Sequence, residues 1–187
     1  MRTSDFEPCI PTRATKVPSS RSWIHEIKHD GYRLIVQRDG KRVRLFTRNG
    51  FDWSDKYPLI TEAALRIRST SFVLDGEAVL LGVDGISDFD GLHSRKHNDE
   101  VQFYAFDMLV ADGEDIRKLP LTMRKTNLAR LLAKRVDGIF LSDRTGRDRA
   151  GPIQARLPDG PGGLRIQTKG PTLSRRPVAI LGQGQEP

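Results

Sequence analysis

The chain has 187 residues, room for one domain or for one domain and part of a second, and carries 31 Lys+Arg against 24 Asp+Glu, a net charge of +7. No apolar run is long enough to span a bilayer and no charged start leads into an apolar stretch, so a cytoplasmic protein with no membrane partner is expected. The single Cys9 excludes an internal disulfide and a cysteine-cluster zinc site. The charge excess is unevenly spread: residues 144–187 hold 8 of the Lys+Arg and 3 of the Asp+Glu, leaving 23 against 21 in residues 1–143. Basicity is mostly a property of the tail and by itself says little about a polyanionic partner.

Residues 1–22, with Pro and Ser punctuation and no period, predict an extended arm. From Trp23 the runs WIHEIKH, RLIVQR and RVRLFTR predict strands, the last two joined by a tight hairpin at Asp39, Gly40 and Lys41. Leu59, Ala63 and Ile67 recur at helical spacing behind Ser54 or Asp55 as caps. SFVLDGEAVLLG and VQFYAFDMLV predict two more strands, separated by the polar stretch DGISDFDGLHSRKHND. LTMRKTNLARLLAKR predicts a helix through Leu121, Leu128, Leu131 and Leu132 with a solvated basic outer face, and GIFLS, from Gly138, a last strand. After Ser142 neither period persists, Gly and Pro dominate, and no internal repeat is visible. The expectation is an α+β domain over residues 23–142, with antiparallel sheets and flanking helices, followed by a disordered tail over 143–187.

Four pieces hold the residues that chemistry could use: EIKHDGYR (Glu26–Arg33), LFTRNG (Leu45–Gly50), LDGEAV (Leu74–Val79) and YAFDML (Tyr104–Leu109). Each alone has a bland reading. A Lys, an Asp-Gly and an Arg close together usually form a strand end and a solvated turn, DGE a turn between strand halves, Phe106 a core aromatic and Arg48 a hairpin charge. Taken together they are coherent. Lys28 near the cationic Arg33 has its ammonium form disfavoured, which frees a lone pair for attack. Arg33 and Arg48 offer planar forks to a phosphorylated electrophile. Mg²⁺ on such a substrate needs oxygen ligands such as Asp75 or Glu77, and a flat base needs an aromatic face, which Phe106 offers.

In this order, and with the connecting text FEPCIPT, HSRKHNDEVQFYAFDML and GIFLS, these pieces resemble the covalent nucleotidyltransferase superfamily, most closely the bacterial ATP-dependent DNA ligases. The resemblance runs from about Phe6 to Ser142. It implies a partial nucleotidyltransferase (ATP-grasp-like) fold over 23–142, with ATP and Mg²⁺ as cofactors. In that family the motif I lysine, here Lys28, attacks the α-phosphate of ATP to give a lysyl-AMP and pyrophosphate. The AMP then passes to a 5′-phosphate at a DNA break, and the 3′-hydroxyl displaces it. By the same resemblance Glu26 contacts the adenine, Arg33 and Arg48 hold the ribose and phosphate region, Glu77 with Asp75 beside it serves a ribose hydroxyl or the metal, and Phe106 stacks on the adenine. The implied partners of a monomeric chain are nicked or broken double-stranded DNA and repair proteins.

Beyond Ser142 the family pattern continues with an EG-type motif IV, a motif V of the WxKVK kind and an OB-fold domain, none of which stands in the sequence. Read one base later, the codons of Gln154 to Lys169 accommodate KHACRMGLEGFVSKRK, and those of Leu173 to Pro187 accommodate YRGGRSRSWVKVKNP. The expectation is a frame change between about codons 142 and 147, with residues 143–187 as ligase-coding DNA read in the wrong frame. Without the motif IV carboxylate and the motif V lysines, the charge of the triphosphate is undercompensated, so the chain is expected to be defective in sealing.

His93 and His97 have the spacing of a metal pair but no third ligand nearby. Asp84, Asp88 and Asp90 resemble a calcium-loop start without the closing Glu, which favours a solvated hairpin. Trp53 and Tyr57 read as core. Two alternatives stay open: an RNA ligase or capping-type nucleotidyltransferase, which shares KxDG, and a non-catalytic ligase remnant that binds nucleotide or DNA weakly or does not fold stably.

Overall fold

A computed structural model describes residues 11–13, 23–27, 29–142, 164–168 and 178–180. In chain order the elements are β1 (Pro11–Arg13), β2 (Trp23–Ile27), β3 (Tyr32–Asp39), β4 (Arg42–Thr47), α1 (Pro58–Arg66), β5 (Ser71–Val79), α2 (Phe89–Ser94), β6 (Gln102–Ala111), β7 (Glu114–Asp115), α3 (Leu121–Leu131), β8 (Ile139–Leu141), β9 (Leu164–Thr168) and β10 (Val178–Ile180). They form two sheets: a four-stranded one in the order β1-β10-β9-β2, and a larger one in the order β4-β3-β5-β6-β7 with β8 on β6.

The larger sheet starts from the expected hairpin. β3 and β4 pair from Leu34 with Thr47 to Asp39 with Arg42, and Gly40 closes the turn at φ 59°, a left-handed value that glycine adopts without a Cβ clash. Alternation then sorts the side chains by face. Leu34, Val36, Val43 and Leu45 join Ile60, Ala63 and Ala64 of α1 and Leu128 of α3 in the main core. Ile35, Phe46, Val73, Leu109 and Val110 form a smaller cluster. Each fully buried Leu, Ile or Phe contributes about 1.5–3 kcal/mol of burial, so the main cluster dominates the fold.

α1 differs from its expected frame. It begins at Pro58, whose missing N–H costs nothing in the first turn, and Ser54 and Asp55 do not cap it. Ser54 Oγ instead accepts from the Leu45 N–H at 3.0 Å and ties the incoming loop to β4. The buried face is Ile60, Ala63 and Ala64, and Ile67 lies just past the helix end in extended backbone. Within the stretch expected to be a polar loop, α2 forms because Asp88 accepts from the Gly91 N–H at 2.8 Å while Leu92 fills the core; Arg95 stops it at φ 63°.

The expectation of antiparallel sheets holds except at two pairs. β6 and β8 run parallel, with α3 in the crossover that a parallel pair requires, and β1 runs parallel to β10. β5 and β6 are antiparallel but slip twice, between Val73 and Leu74 and between Asp75 and Gly76. Leu74 faces Met108, Asp75 faces Asp107 and Gly76 faces Ala105, so Leu109 and Phe106 are the extra residues of two bulges. The bulges break the in/out alternation, and β6 is buried without interruption from Ala105 to Val110. Gly76 is held in place by packing: a Cβ there would lie 2.4 Å from the Phe103 ring and 2.5 Å from the Tyr104 carbonyl oxygen.

The expected absence of regular structure beyond residue 142 is corrected at two segments. Leu164–Thr168 pairs antiparallel with β2, and Val178–Ile180 pairs with β9 and β1. Leu164–Thr168 lies in antiparallel register along β2, from Trp23 with Thr168 to Ile27 with Leu164, which gives backbone groups on that edge of β2 their partners. The rest of 143–187, including the codons assigned to a frame change after Ser142, lies outside the described residues, as does the arm apart from β1. Among the described residues no helix is long and apolar enough to cross a membrane.

Candidate active site

The glycine of EIKHDGYR is fixed by a close approach. A Cβ at Gly31 would sit 2.1 Å from the Ala78 carbonyl oxygen and 3.1 Å from Cγ of Glu77, so only glycine lets this loop rest on β5. β3 then sets Arg33 directly opposite Glu77, with Asp75 one diagonal step away. Arg33 takes the diagonal: Nε donates to Asp75 Oδ1 at 2.9 Å and Nη2 to Oδ2 at 2.5 Å. Both Asp75 oxygens therefore accept from one guanidinium. The guanidinium carbon also lies 5.2 Å from the centre of the Phe106 ring, which the bulge in β6 turns to this side.

Glu26, on β2 of the other sheet, reaches the same place. Its carboxylate is buried, and Oε1 accepts from Lys125 Nζ of α3. Lys125 Nζ also donates to the Phe106 carbonyl oxygen at 2.5 Å. Glu26 Oε2 is buried and has no hydrogen-bond partner among the described residues. The neighbouring pair is built alike: Arg124 donates from Nε and Nη2 to the two Asp107 oxygens at 3.0 and 2.9 Å, with both side chains buried. Consecutive residues of α3 thus grip consecutive residues of β6.

The basic face of the 122–135 segment is expected to be solvated; Arg130, Lys134 and Arg135 are exposed, and the expectation is corrected at Arg124 and Lys125. Leu121, Arg124, Lys125 and Leu128 form the buried stripe. Neither Lys125 nor Asp107 was singled out in the sequence. The available signal was positional: Arg124 and Lys125 stand three and four residues after Leu121, on the face that Leu128 continues.

Of the expected site residues, Glu26, Arg33, Asp75 and Phe106 are thus brought together, with Glu77 half-buried beside Gly31. Arg48 is exposed just past the Leu34–Thr47 pair, at the end of the sheet where Tyr32 and Arg33 open β3, in a loop closed by Gly50 at φ 80°. Lys28 lies outside the described residues. The next residue, His29, has its ring 4.3 Å from that of Tyr104, and Tyr104 stacks at 5.6 Å on Phe140.

Four of the remaining polar candidates have local partners. His93 Nδ1 shares a hydrogen bond of 2.8 Å with the Tyr32 hydroxyl, and His97 pairs with Glu100. Asp84 accepts from the Ile86 N–H and Asp88 caps α2. Tyr57 is fully buried and Trp53 packs against the core. Lys56 Nζ lies 3.5 Å from the Trp53 ring centre, and burial, followed by the charge of Arg95, holds its pKa below the usual lysine value. Among the described residues no three His, Cys, Asp or Glu side chains are grouped to hold a metal ion.

Comparison with known proteins bears on this arrangement. Residues 9–151 match the family described as ATP dependent DNA ligase domain. The chain is 35% identical over 121 residues to the multifunctional non-homologous end joining protein LigD of Pseudomonas aeruginosa, covering 63% of this chain and 14% of that protein. It is 39% identical over 118 residues to a probable DNA ligase of Streptomyces coelicolor, covering 57% and 23%. The chain therefore spans less than a quarter of the length of these relatives. Its fold superposes on a mycobacterial DNA ligase D complexed with ATP and MES, with a TM-score of 0.77, 26% identity, and coverage of 98% of this chain and 62% of that one. For the ligase domain of M. tuberculosis LigD the corresponding values are 0.76, 27%, 97% and 60%. With the family matched over more than half of its residues, and the fold matched as well, this chain belongs to the ATP-dependent DNA ligase domain family.

Proposed function

We propose that the chain is the nucleotide-charging part of an ATP-dependent DNA ligase acting on nicked or broken duplex DNA. The observation that carries this reading is the meeting of Glu26, Arg33 and Phe106 from three strands at one place, in a chain of the ligase domain family. On this reading ATP lays its base on Phe106, with Glu26 at the base edge and Arg33 and Arg48 toward the ribose and phosphates. Lys28 Nζ forms a bond to the α-phosphorus as the bond to pyrophosphate breaks, and the amine loses its proton to solvent. The resulting lysyl-AMP passes its AMP to a 5′-phosphate, and the 3′-hydroxyl of the break displaces it. The end-joining names of several relatives place the repair role with them, and we extend it to this chain, acting as a monomer in the cytoplasm.

Mg²⁺ is compatible with the residues present, because this ion takes one or two carboxylates and completes its shell from phosphates and water. Glu77 would hold it. Asp75, with both oxygens on Arg33, acts instead as the group that orients that guanidinium. When bound, the ion offsets charge on the triphosphate.

For residues 143–187 we propose a shifted reading frame, and with it a chain that charges Lys28 weakly and seals no nicks. The purified protein is incubated with α-labelled ATP and Mg²⁺, denatured, and scored for label on protein, then offered a nicked duplex. The expected result is label that disappears in Lys28→Ala, with no sealed product. A sealed nick sinks the proposed defect, whereas label that persists in Lys28→Ala refutes the assigned nucleophile.

A further inference from the structure

Resting on the nucleotide site proposed above, we propose that Lys125 is a positioning residue for base selection. It fixes the Glu26 carboxylate through Oε1, which leaves Oε2 as a buried acceptor for an exocyclic amine of the base. A base with an amine at that edge, adenine, is matched; one with a carbonyl there, guanine, meets an acceptor with an acceptor.

Three observations carry the inference. The Lys125 and Glu26 side chains are 3% and 1% exposed, and charges so deeply buried persist only when paired, so neither holds its place without the other. Glu26 Oε2 has no partner among the described residues, and a buried acceptor left open in this way is suited to a donor on a ligand. Lys125 Nζ also holds the Phe106 carbonyl at 2.5 Å, so one ammonium sets the carboxylate against the strand that carries the aromatic platform. Its own position is set by its neighbour: Arg124 locks α3 to Asp107, the residue after Phe106. The bulge that puts Phe106 and Asp107 both inside is what lets Lys125 and Arg124 take them in succession.

The test uses the whole 187-residue chain and isothermal titration calorimetry with ATP and with GTP. Wild type is expected to prefer ATP. Lys125→Met is expected to lower the ATP:GTP affinity ratio by at least about tenfold, the scale of one hydrogen bond to a charged group, by weakening ATP while leaving GTP within about threefold. Lys125→Arg keeps the charge and the donors and is expected to restore the ratio to within about threefold. A merely structural lysine would weaken both nucleotides alike, so an unchanged ratio in Lys125→Met overturns the proposal. Should Lys125→Met fail to fold by circular dichroism, Glu26→Gln is expected to show the same fall in ratio, and its absence there overturns the proposal equally. A wild-type chain that binds both nucleotides alike, or neither, overturns the nucleotide-site reading as well.

Discussion

Replacing Arg124 by Met tests the buried charge pairs on which the site rests. Arg124 gives three well-formed hydrogen bonds, two to Asp107 at 3.0 and 2.9 Å and one to the Leu119 carbonyl at 2.6 Å. Without it the Asp107 carboxylate keeps a single hydrogen bond among the described residues, from the Met108 N–H at 2.8 Å, in a side chain that is 5% exposed. Breaking a buried pair from one side costs about 3–5 kcal/mol, about a fifth or more of a typical domain stability of about 5–15 kcal/mol. With a urea slope of about 2 kcal/mol per molar, the unfolding midpoint of Arg124→Met should fall by about 1.5–2.5 M. The double variant Arg124→Met/Asp107→Leu removes both charges and should recover most of that loss, since apolar replacement of a whole buried pair is often close to neutral. A midpoint shift below about 0.5 M for the single variant, or a double variant no more stable than the single one, would refute the reasoning.

Two further outcomes follow from packing and burial. Gly76→Ala pushes a methyl onto the Phe103 ring and the Tyr104 carbonyl, and should cost about 1–3 kcal/mol in the same urea assay; a neutral result would show that β5 and β6 are not packed this closely. Tyr57→Phe removes a buried hydroxyl with no partner among the described residues, and should leave stability at neutral pH unchanged or higher by up to about 1 kcal/mol. Burial pushes the Tyr57 phenol above its usual pKa, so the folded chain holds that proton more tightly than the unfolded one. The stability linked to it is fully present below about pH 10 and is lost as pH rises above that value. Thermal melts across that range should show the alkaline loss in wild type and a smaller loss in Tyr57→Phe.

The parts of this fold that were legible in the sequence are those governed by local rules. The β3–β4 hairpin is announced by Asp39–Gly40–Lys41, because a two-residue turn needs the left-handed conformation that Gly40 supplies. The four motif pieces name Glu26, Arg33, Asp75 and Phe106, which the fold assembles. What the sequence does not announce is how they are partnered. Asp75 is named as a carboxylate of the LDGEAV piece, but nothing in the sequence announces that Arg33, 42 residues away, bonds both its oxygens. Lys125 reads as a surface charge because its partner is 99 residues off and on another sheet. Phe106 and Asp107 should point to opposite faces by alternation, and a slip of one residue in the β5–β6 register buries both. α2 was hidden because a helix of six residues with one buried leucine leaves almost no periodic trace.

The distance along the chain between Lys125 and Glu26 also has a bearing on the order of folding. The β3–β4 hairpin and the Arg124–Asp107 pair close short loops, the latter spanning 17 residues, whereas the Lys125–Glu26 contact must close 99. The entropy of closing a loop grows with its length, so we expect the larger sheet to form and seat α3 before β2 is recruited. On the proposed reading, the nucleotide site is then expected to be the last region to form and the first to open. A bound nucleotide would act mainly on that final step, slowing the departure of β2 more than it hastens the assembly of the sheet.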